Sequence, residues 1–406
     1  MRVVFVSDTF HHHQKPLSDE MFKLTNGEYI FYTTGQMREE RKRMGWIDRD
    51  KPSYVVEVNF DDPIQIENVK KKIADADIAI TGSAPLSLFS LRNKLKKITF
   101  RYSERLYKTK SRYLKSPIHT LRALWMKNDY MLCSSAYTAG DYSVTGCYIG
   151  KCFKWGYFTE LRTYPSIESL FKKKGNDNVV RIIWVSRFIP LKHPEIPLML
   201  AEKLKKDGVS FFLHMIGIGP MRDLYRKKLE SCGLSDYVMI EGPMSPNEVR
   251  DCMEQSDIFL FTSDRREGWG AVLNEAMNSG CAVVANRKIG SVPYLVEDGK
   301  NGETYEDGDI EDAYNKLYRL VKDEKYRRLL GLSAYETISQ KWNANKAAIN
   351  LLNLYTSLNE GKSSPVEEGP CSIALPMMVS TSRSFNEHKY SLKESLNYLF
   401  KDLFQG

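Results

Sequence analysis

Short apolar runs alternate with helix-length segments along most of this 406-residue chain, and this alternation constrains the fold more than any other feature. The pattern is typical of βαβ units, in which parallel strands form a sheet and the connecting helices cover it. The chain is also too long for one ordinary core, because a domain of this kind holds roughly 150–200 residues. The sequence therefore predicts an α/β protein with two domains, each built on a parallel sheet.

The predicted strands fall into two series. The first series consists of residues 2–7, 29–32, 54–58, 78–81, 98–100 and 130–133. The second series begins near Val179 and consists of residues 180–185, 211–216, 237–241, 258–262 and 282–285. Apolar periodicity predicts helices at residues 196–206, 221–232 and 347–358. The polar, lysine-rich stretch 172–178 is predicted to be the linker between the two domains.

We accordingly divide the chain into domains at residues 1–170 and 171–345, a long helix at 346–360 and an extension at 361–406. The extension begins with a stretch rich in Ser and Pro that has no periodicity. Leucines then recur at helical spacing in residues 392–404. This amphipathic segment would dock either on the body of the protein or on a membrane.

The sequence carries no signature of a secreted or membrane-spanning protein. No apolar stretch approaches the roughly 20 residues of a transmembrane helix. The N-terminus has one Arg and a short apolar strand, so a cleaved signal peptide is not expected. The seven Cys are scattered without a Cys-x-x-Cys pair, so neither a disulfide framework nor a zinc site is expected. We predict a cytoplasmic protein.

The net charge of +8 is distributed unevenly. From Arg92 to Lys115 there are ten Lys and Arg residues and one acid, Glu104. Such a patch attracts phosphates or an anionic membrane surface, which would place the protein at the inner face of the plasma membrane. The alternative is a solvated helix face. We expect no nucleic-acid partner, because no RNA- or DNA-binding motif accompanies the patch.

The stretch 262–286 is the most informative for chemistry, because a strand leads there through a glycine-rich turn into a helix. The N–H groups and dipole at the start of such a helix form an anion site suited to a diphosphate. Gly268 and Gly270 allow the backbone to approach a ligand closely. We therefore expect Gly268, Trp269 and Gly270 to contact a phosphate-bearing donor.

Two carboxylates, Glu267 and Glu275, lie eight residues apart and face roughly the same side of the predicted helix start. They could hold hydroxyl groups at two ends of one ligand, through charge-assisted hydrogen bonds worth roughly 1.5–3 kcal/mol each. In a sugar nucleotide, Glu267 would bind the sugar and Glu275 the ribose. The alternative is that Glu267 is a charge at the helix start and Glu275 a solvated helix residue.

Two cations, Arg187 and Lys192, follow the first strand of the second series, at the sheet edge where open α/β folds bind ligands. They could neutralise a departing diphosphate. We find no Asp-x-Asp motif, so we expect metal-independent chemistry and no bound metal. Gly217 and Gly219, which close the next strand, are expected either to pass close to the nucleotide or to form only a tight turn.

These residues together resemble a known family. The spacing of Glu267 and Glu275 within EGWGAVLNEAM, with Arg187 and Lys192, is similar to that of retaining GT-B glycosyltransferases of the glycosyltransferase family 4 type. The resemblance covers residues 180–345. The first half matches more loosely and resembles a bacterial surface-polysaccharide branch of the family at residues 11–14, 103–105 and 154–158.

The resemblance implies two Rossmann-like domains that face each other across a cleft, with a helix after Trp342 that crosses back to the first domain. The first domain would bind a glycan or lipid-diphosphate-linked acceptor, and the second a UDP- or GDP-sugar donor. The sugar would be transferred with retention at its anomeric carbon. Arg187 and Lys192 would hold the diphosphate, Glu275 the ribose and Glu267 the sugar.

The first half departs from the family pattern in its loops. The loop after the first strand contains three consecutive histidines at 11–13 instead of glycines. One of them, His13, could line the acceptor cleft or only make the turn polar, and consecutive histidines are not expected to converge on one metal. Where many relatives have a His beside the donor sugar, this chain has Glu104 and Arg105. Glu104 could take that role, or Arg105 could bind phosphate.

Two other functions fit the same architecture. A sugar-nucleotide epimerase would change a donor sugar without an acceptor. A non-catalytic member would bind a nucleotide sugar or glycan and act as a scaffold. The presence of Glu267, Glu275, Arg187 and Lys192 argues against the scaffold, because a protein without catalysis has no need to keep all four.

Overall fold

The computed structural model describes residues 1–37, 51–106, 121, 128–175 and 178–378. Within these ranges the chain forms two parallel sheets, one of seven strands and one of six. The predicted α/β architecture with two domains is confirmed.

The first sheet has the order β3-β2-β1-β4-β5-β6-β7, and every pair of neighbours runs parallel. The interior strand β1 is buried at all five positions, as expected for a strand covered by helices on both faces. The seven strands are β1 (Val3–Ser7), β2 (Tyr29–Thr33), β3 (Val55–Glu57), β4 (Ile78–Thr81), β5 (Thr99–Ser103), β6 (Asp129–Cys133) and β7 (Cys152–Lys154).

The second sheet has the order β10-β9-β8-β11-β12-β13 and is also parallel throughout. Its strand order reverses direction between β8 and β11, so the loops after these two strands leave the sheet side by side. The six strands are β8 (Val180–Val185), β9 (Phe211–Ile216), β10 (Val238–Glu241), β11 (Ile258–Phe261), β12 (Ala282–Asn286) and β13 (Glu303–Tyr305).

Helices connect the strands and cover both sheets. Several begin at a side chain that accepts from the first free N–H groups, such as Asp62 and Ser245. The α-helices of the described residues are α1 (Lys15–Leu24), α2 (Pro63–Asp75), α3 (Ser90–Lys94), α4 (Thr138–Ser143), α5 (Ile167–Phe171), α6 (Glu195–Lys206), α7 (Arg222–Ser231), α8 (Pro246–Glu254), α9 (Val272–Asn278), α10 (Val292–Leu295), α11 (Ile310–Lys322), α12 (Glu324–Glu336) and α13 (Ala344–Asn359).

The long helix α13 returns to the first domain and packs on α1. Asn343 caps its start by accepting from the backbone N–H of Lys346. Its buried face includes Ala347 and Leu351. The predicted crossing helix is therefore present, and the chain passes between the two domains twice.

The first part of the extension joins the first sheet. The backbone N–H groups of Cys371 and Ala374 donate to Lys154 and Cys152 of β7, at 2.7 and 2.9 Å, and Ile373 pairs antiparallel with Phe153. The stretch was expected to be irregular, and residues 371–374 instead extend the sheet beyond β7. The amphipathic segment predicted at residues 392–404 lies outside the described residues.

Two charged residues, Arg92 and Lys174, are buried although each lies in a polar stretch of the sequence. Arg92 was assigned to a surface patch, but its guanidinium is fully buried and donates to five acceptors around the end of α2, among them the carbonyls of Ile73 and Ala76. Lys174, in the predicted linker, is also buried and donates to the carbonyls of Ser256 and Ser279. Both cations hold backbone carbonyls that have no helical partner.

The exposed remainder of the described patch is small. Lys94 and Lys96 are exposed, with the apolar side chain of Leu95 between them, whereas Arg105 is buried. Residues 107–115 of the patch lie outside the described residues. In the part of the chain that the model covers, no helix is long and apolar enough to cross a membrane.

Candidate active site in the interdomain cleft

Lys192 and Glu267 meet at the carboxyl edge of the second sheet. Lys192 ends a single 3₁₀ turn after β8, and Glu267 lies in the loop after β11. Their charged groups are in contact, and only 11% and 15% of the two side chains are exposed. The hydroxyl of Thr262 donates to the carbonyl of Lys192 at 2.7 Å and accepts from the indole N–H of Trp184, which fixes the turn. The structure therefore brings together two of the residues that sequence analysis assigned to catalysis.

A histidine that sequence analysis missed, His193, connects the same two loops. Its contacts with Glu195 and Asp264 are called the His193 brace below. His193 follows Lys192 with a left-handed φ of 48°, and its ring lies 2.7 Å from Glu195 and 3.2 Å from Asp264. Burial disfavours its charged form, but the hydrogen bonds to Asp264 and Glu195 outweigh burial and raise the pKa of His193 to about 9. The Lys192 turn and the Glu267 loop are thus joined by a protonated histidine.

Asp264 is the acidic partner in this brace. Its carboxylate also accepts from the guanidinium of Arg266 at 2.9–3.0 Å. Burial would raise the pKa of Asp264, but the hydrogen bonds of His193 and Arg266 lower it to about 2. The brace is therefore an ion pair throughout the neutral pH range.

Glu275 lies on α9 and faces His13 of the first domain. The Nε2 atom of His13 is 3.5 Å from Oε1 of Glu275. Burial would raise the pKa of Glu275, but the hydrogen bond and charge of His13, with the charges of Arg250 and His12, lower it. Glu275 is thus a carboxylate that points into the cleft and not the solvated helix residue of the alternative interpretation.

The histidines at 11–13 converge more closely than expected. One ligand atom each from His12, His13 and Glu275 lie within 4.8 Å of one another, and the rings of His12 and His13 are 3.9 Å apart. The turn before α1 folds the rings of His12 and His13 to the same side, a proximity that the run of consecutive histidines did not predict.

Glu104 reaches the glycine-rich turn of the second domain. The hydroxyl of Tyr157 donates to Oε1 of Glu104 at 3.0 Å. The carboxylate lies directly against Gly268, where any Cβ atom would collide with it. Glu104 thus lies against the turn that carries Glu267.

Arg105 is committed to contacts between and within the domains. Its guanidinium is 3.2 Å from Asp141 and donates at 3.2 Å to the carbonyl of Arg265, in the second domain. The guanidinium also lies over the ring of Tyr137. Because Arg105 is buried by these partners, its observed role is to hold the Glu267 loop against the first domain.

The candidate donor-binding turn contains a core side chain, Trp269, and a sterically restricted glycine, Gly270. Trp269 is fully buried, donates from its indole N–H to Asn274 at 2.8 Å, and packs near Trp342. The side chain of Trp269 therefore belongs to the core, and a contact with the donor would have to come from its backbone. Gly270 has a φ of 80° and lies against Phe261, so no larger residue fits there.

The loop after β9 lies against the loop that carries Arg187. Gly217 and Gly219 both have a φ of 150°, and a Cβ atom at either position would collide with backbone of Ser186 or Phe188. Arg187 is exposed at this edge of the sheet. The two glycines therefore position the neighbouring loops beside the site.

Gly290 links the two domains through its backbone. Its carbonyl accepts from the backbone N–H of Ala136 at 2.8 Å, and its own N–H donates to the carbonyl of Glu267 at 3.3 Å. Tyr137 adds a second link across the cleft by donating to the carbonyl of Arg287 at 2.8 Å. A side chain at Gly290 would collide with the backbone of Gly268.

Two parallel-sheet domains that meet at a charged cleft, with a helix that returns to the first domain, form the GT-B arrangement. Residues 166–337, which contain the whole second sheet, match the family model described as Glycosyl transferases group 1.

Similar curated proteins include enzymes of polysaccharide synthesis. A poly(ribitol-phosphate) alpha-N-acetylglucosaminyltransferase of Staphylococcus aureus is 30% identical over 43% of this chain and 34% of its own length. A putative colanic acid biosynthesis glycosyltransferase, WcaL of Salmonella typhimurium, is 28% identical over 56% of each chain. The chain thus spans between a third and just over half of these relatives.

Solved structures share the whole fold at low identity. Anabaena HepE in complex with UDP has a TM-score of 0.66 and 16% identity over 87% of this chain and 99% of its own. A variant of S. aureus TarM in complex with fondaparinux, alpha-GlcNAc-glycerol and UDP has a TM-score of 0.63 and 16% identity over 88% and 100% of the two chains.

Proposed function

We propose that this chain is a retaining glycosyltransferase of the family 4 type, which moves a sugar from a nucleotide-sugar donor to a glycan or lipid-linked acceptor in surface polysaccharide synthesis. The observation that carries the proposal is the placement of Lys192, Glu267 and Glu275 on the second domain where it faces the first. A diphosphate needs cations, and a sugar and a ribose need acceptors for their hydroxyl groups. The site offers these groups together.

Each group has a role in the reaction. Arg187 and Lys192 hold the diphosphate, Glu275 accepts from the ribose hydroxyls, and Glu267 accepts from the sugar. The bond from the anomeric carbon to the diphosphate breaks while the acceptor oxygen bonds to the same face of that carbon. The proton of the acceptor hydroxyl passes to the departing phosphate oxygen, and Arg187 and Lys192 stabilise the charge that develops there. No covalent enzyme intermediate forms.

The first domain supplies the acceptor side. His13 and Glu104 line the cleft opposite the donor groups. Arg105 ties the Glu267 loop to this domain, so closure aligns the two substrates and excludes water. A lipid-diphosphate acceptor at the inner face of the plasma membrane would meet the basic patch from Arg92 to Lys115 through its exposed members.

In the proposed transfer step, the positive charges of Lys192 and Arg187 take the place of a divalent metal. We therefore expect transfer to continue when EDTA is present. Loss of transfer in EDTA, with recovery on adding Mg²⁺ or Mn²⁺, would contradict this part of the proposal.

The donor is tested by thermal unfolding with UDP, GDP and their common sugar conjugates. A ligand at 100 times its Kd adds roughly 2.7 kcal/mol to stability, enough to raise the midpoint by several degrees. We expect a shift with one nucleotide, UDP being the first to test because the similar structures of HepE and TarM hold UDP. Glu275→Ala and Lys192→Ala should abolish the shift. Lys203→Ala, which breaks the exposed Lys203–Glu311 pair, should retain it.

Product analysis then separates transfer from the other functions. The donor incubated with enzyme alone should keep its sugar unchanged, whereas an epimerase would convert it. With an acceptor, the anomeric configuration of the product should match that of the donor. Absence of a shift with every nucleotide, together with absence of transfer, would favour a glycan-binding scaffold and overturn the proposal.

A further inference from the structure

The ligand atoms of His12, His13 and Glu275 lie within 4.8 Å of one another in the cleft. We propose that these three residues form a transition-metal site that bridges the two domains. The transfer reaction proposed above does not use such a site. The metal we infer is a Zn²⁺-like ion, bound by two imidazole nitrogens and one carboxylate oxygen.

The spacing of the groups suits a small divalent ion. Ligands bonded at about 2.0–2.1 Å in a tetrahedron lie roughly 3.4 Å apart. The Nε2 atom of His13 and the Oε1 atom of Glu275 are already 3.5 Å apart. The His12 nitrogen lies within 4.8 Å of the other two ligand atoms, so it would have to move by at most about 1.4 Å to reach the same spacing.

The chemistry of the ligands selects the class of metal. Imidazole nitrogen suits Zn²⁺, Co²⁺ and Ni²⁺, whereas Mg²⁺ and Ca²⁺ prefer sets made of oxygen. Two His and one Glu also leave a fourth position open to water or another small ligand.

The bridging position gives the site a consequence for function. Both histidines belong to the first domain, and Glu275 belongs to α9 of the second. A metal bound to all three holds the cleft closed and occupies the carboxylate that the proposed function assigns to the ribose. Metal and donor therefore exclude each other, and this consequence rests on the proposed function, whereas the metal site itself does not.

Binding is tested on the full chain by titration with Co²⁺, whose visible absorption reports the number and type of its ligands. We expect one Co²⁺ per chain with four- or five-coordinate absorption, and Zn²⁺ should displace it. His13→Ala and Glu275→Gln should each lower the Co²⁺ affinity by at least about tenfold, since even the loss of a residue that only supports a ligand has such an effect. His214→Ala removes a histidine from a separate pair with Glu241 and serves as the matched control.

Each outcome of the Co²⁺ titration either supports or contradicts the bridged metal site. If Glu275→Gln binds Co²⁺ as tightly as the wild type, the adjacent histidines alone hold the metal and the bridged site is wrong. If no variant differs from the wild type, or if Co²⁺ does not bind, the proposal is overturned. Because the absorption needs neither donor nor acceptor, Co²⁺ binding by a chain that binds no nucleotide would support the metal site while the proposed function failed.

Discussion

The carboxylate of Glu104, in the first domain, lies directly against the Cα atom of Gly268, in the second. A Cβ atom at 268 would overlap with the carboxylate of Glu104, so either the Glu104 side chain or the turn would have to shift. The contact joins the turn that carries Glu267 to the wall of the opposite domain. It therefore exists only when the two domains are closed.

Gly268→Ala should hold the cleft partly open and lower kcat/KM by about a hundredfold, because small misplacements of the reacting groups have effects of that size. The radius of gyration from X-ray scattering should rise at the same time. Gly242→Ala is the matched control, since the atom nearest to its Cβ would be the flexible end of Arg222 at 3.5 Å. The double variant Gly268→Ala/Glu104→Ala should recover the compact form. If the double variant stays open, the collision with Glu104 is not what keeps the domains apart.

Lys192→Ala should lower kcat by roughly 10²–10³-fold, because removal of one group that stabilises developing charge has an effect of this order. It also leaves the largely buried carboxylate of Glu267 without its cation. Steady-state kinetics with the donor identified by thermal unfolding measures the effect. Lys203→Ala should remain within twofold of the wild type. A Lys192→Ala enzyme with wild-type kcat would remove Lys192 from the chemical step.

The His193 brace predicts a dependence of stability on pH. The pKa of about 9 in the folded protein is above the usual histidine value of 6.5, so this contribution is complete below pH 6.5 and is lost as the pH rises through 9. A difference of this size corresponds to roughly 3 kcal/mol. His193→Asn keeps a residue that tolerates the left-handed φ of 48°. Urea unfolding should show that the wild type loses its advantage over this variant between pH 6.5 and 9. A constant difference over that range would mean that His193 is not protonated in the folded state.

Arg92→Leu should destabilise the first domain by roughly 3 kcal/mol or more, since it strands several buried acceptors at once. Denaturant unfolding measures this loss. Lys94→Gln, on the same helix but exposed, should change stability by less than about 0.5 kcal/mol. If both variants behave alike, the guanidinium does not hold the end of α2.

Lys94→Gln/Lys96→Gln should weaken binding to vesicles that contain anionic lipid, and the difference should shrink as salt is raised. Each exposed cation near a membrane contributes about 1 kcal/mol, so removal of two predicts a loss of roughly thirtyfold. Flotation of the protein with vesicles of phosphatidylserine and phosphatidylcholine measures it. Lys227→Gln/Lys228→Gln on α7 is the control for loss of two charges. An equal loss of vesicle binding in the two double variants would show that binding depends only on net charge.

Local patterns were enough to predict the long strands and their division between two parallel sheets. The strands β8 and β9 were predicted with the bounds that the structure has, because each apolar run is followed directly by polar or glycine residues. The strands β7 and β13 were missed. Each has three residues, and β13 begins with Glu303, whose full burial depends on Tyr326 and Lys316 from distant helices.

The site could be predicted where a motif carried it and not where distant partners define it. Glu267, Glu275 and Lys192 were found from their spacing along the chain. His193 was missed because its role depends on Asp264, 71 residues away. Arg92 was misinterpreted because the sequence of a basic run is the same whether its side chains face solvent or donate to buried carbonyls.

The pairing of residues 371–374 with β7 has a consequence for how the two domains are connected. Because β1 and this segment belong to one sheet, the second domain is an insertion joined to the first domain at two places, and it cannot be removed by a single cut. Joining a residue before α5 to the one before α13 by a short spacer would therefore excise the second domain as a unit, together with the buried Lys174, and leave a first domain whose sheet is still whole.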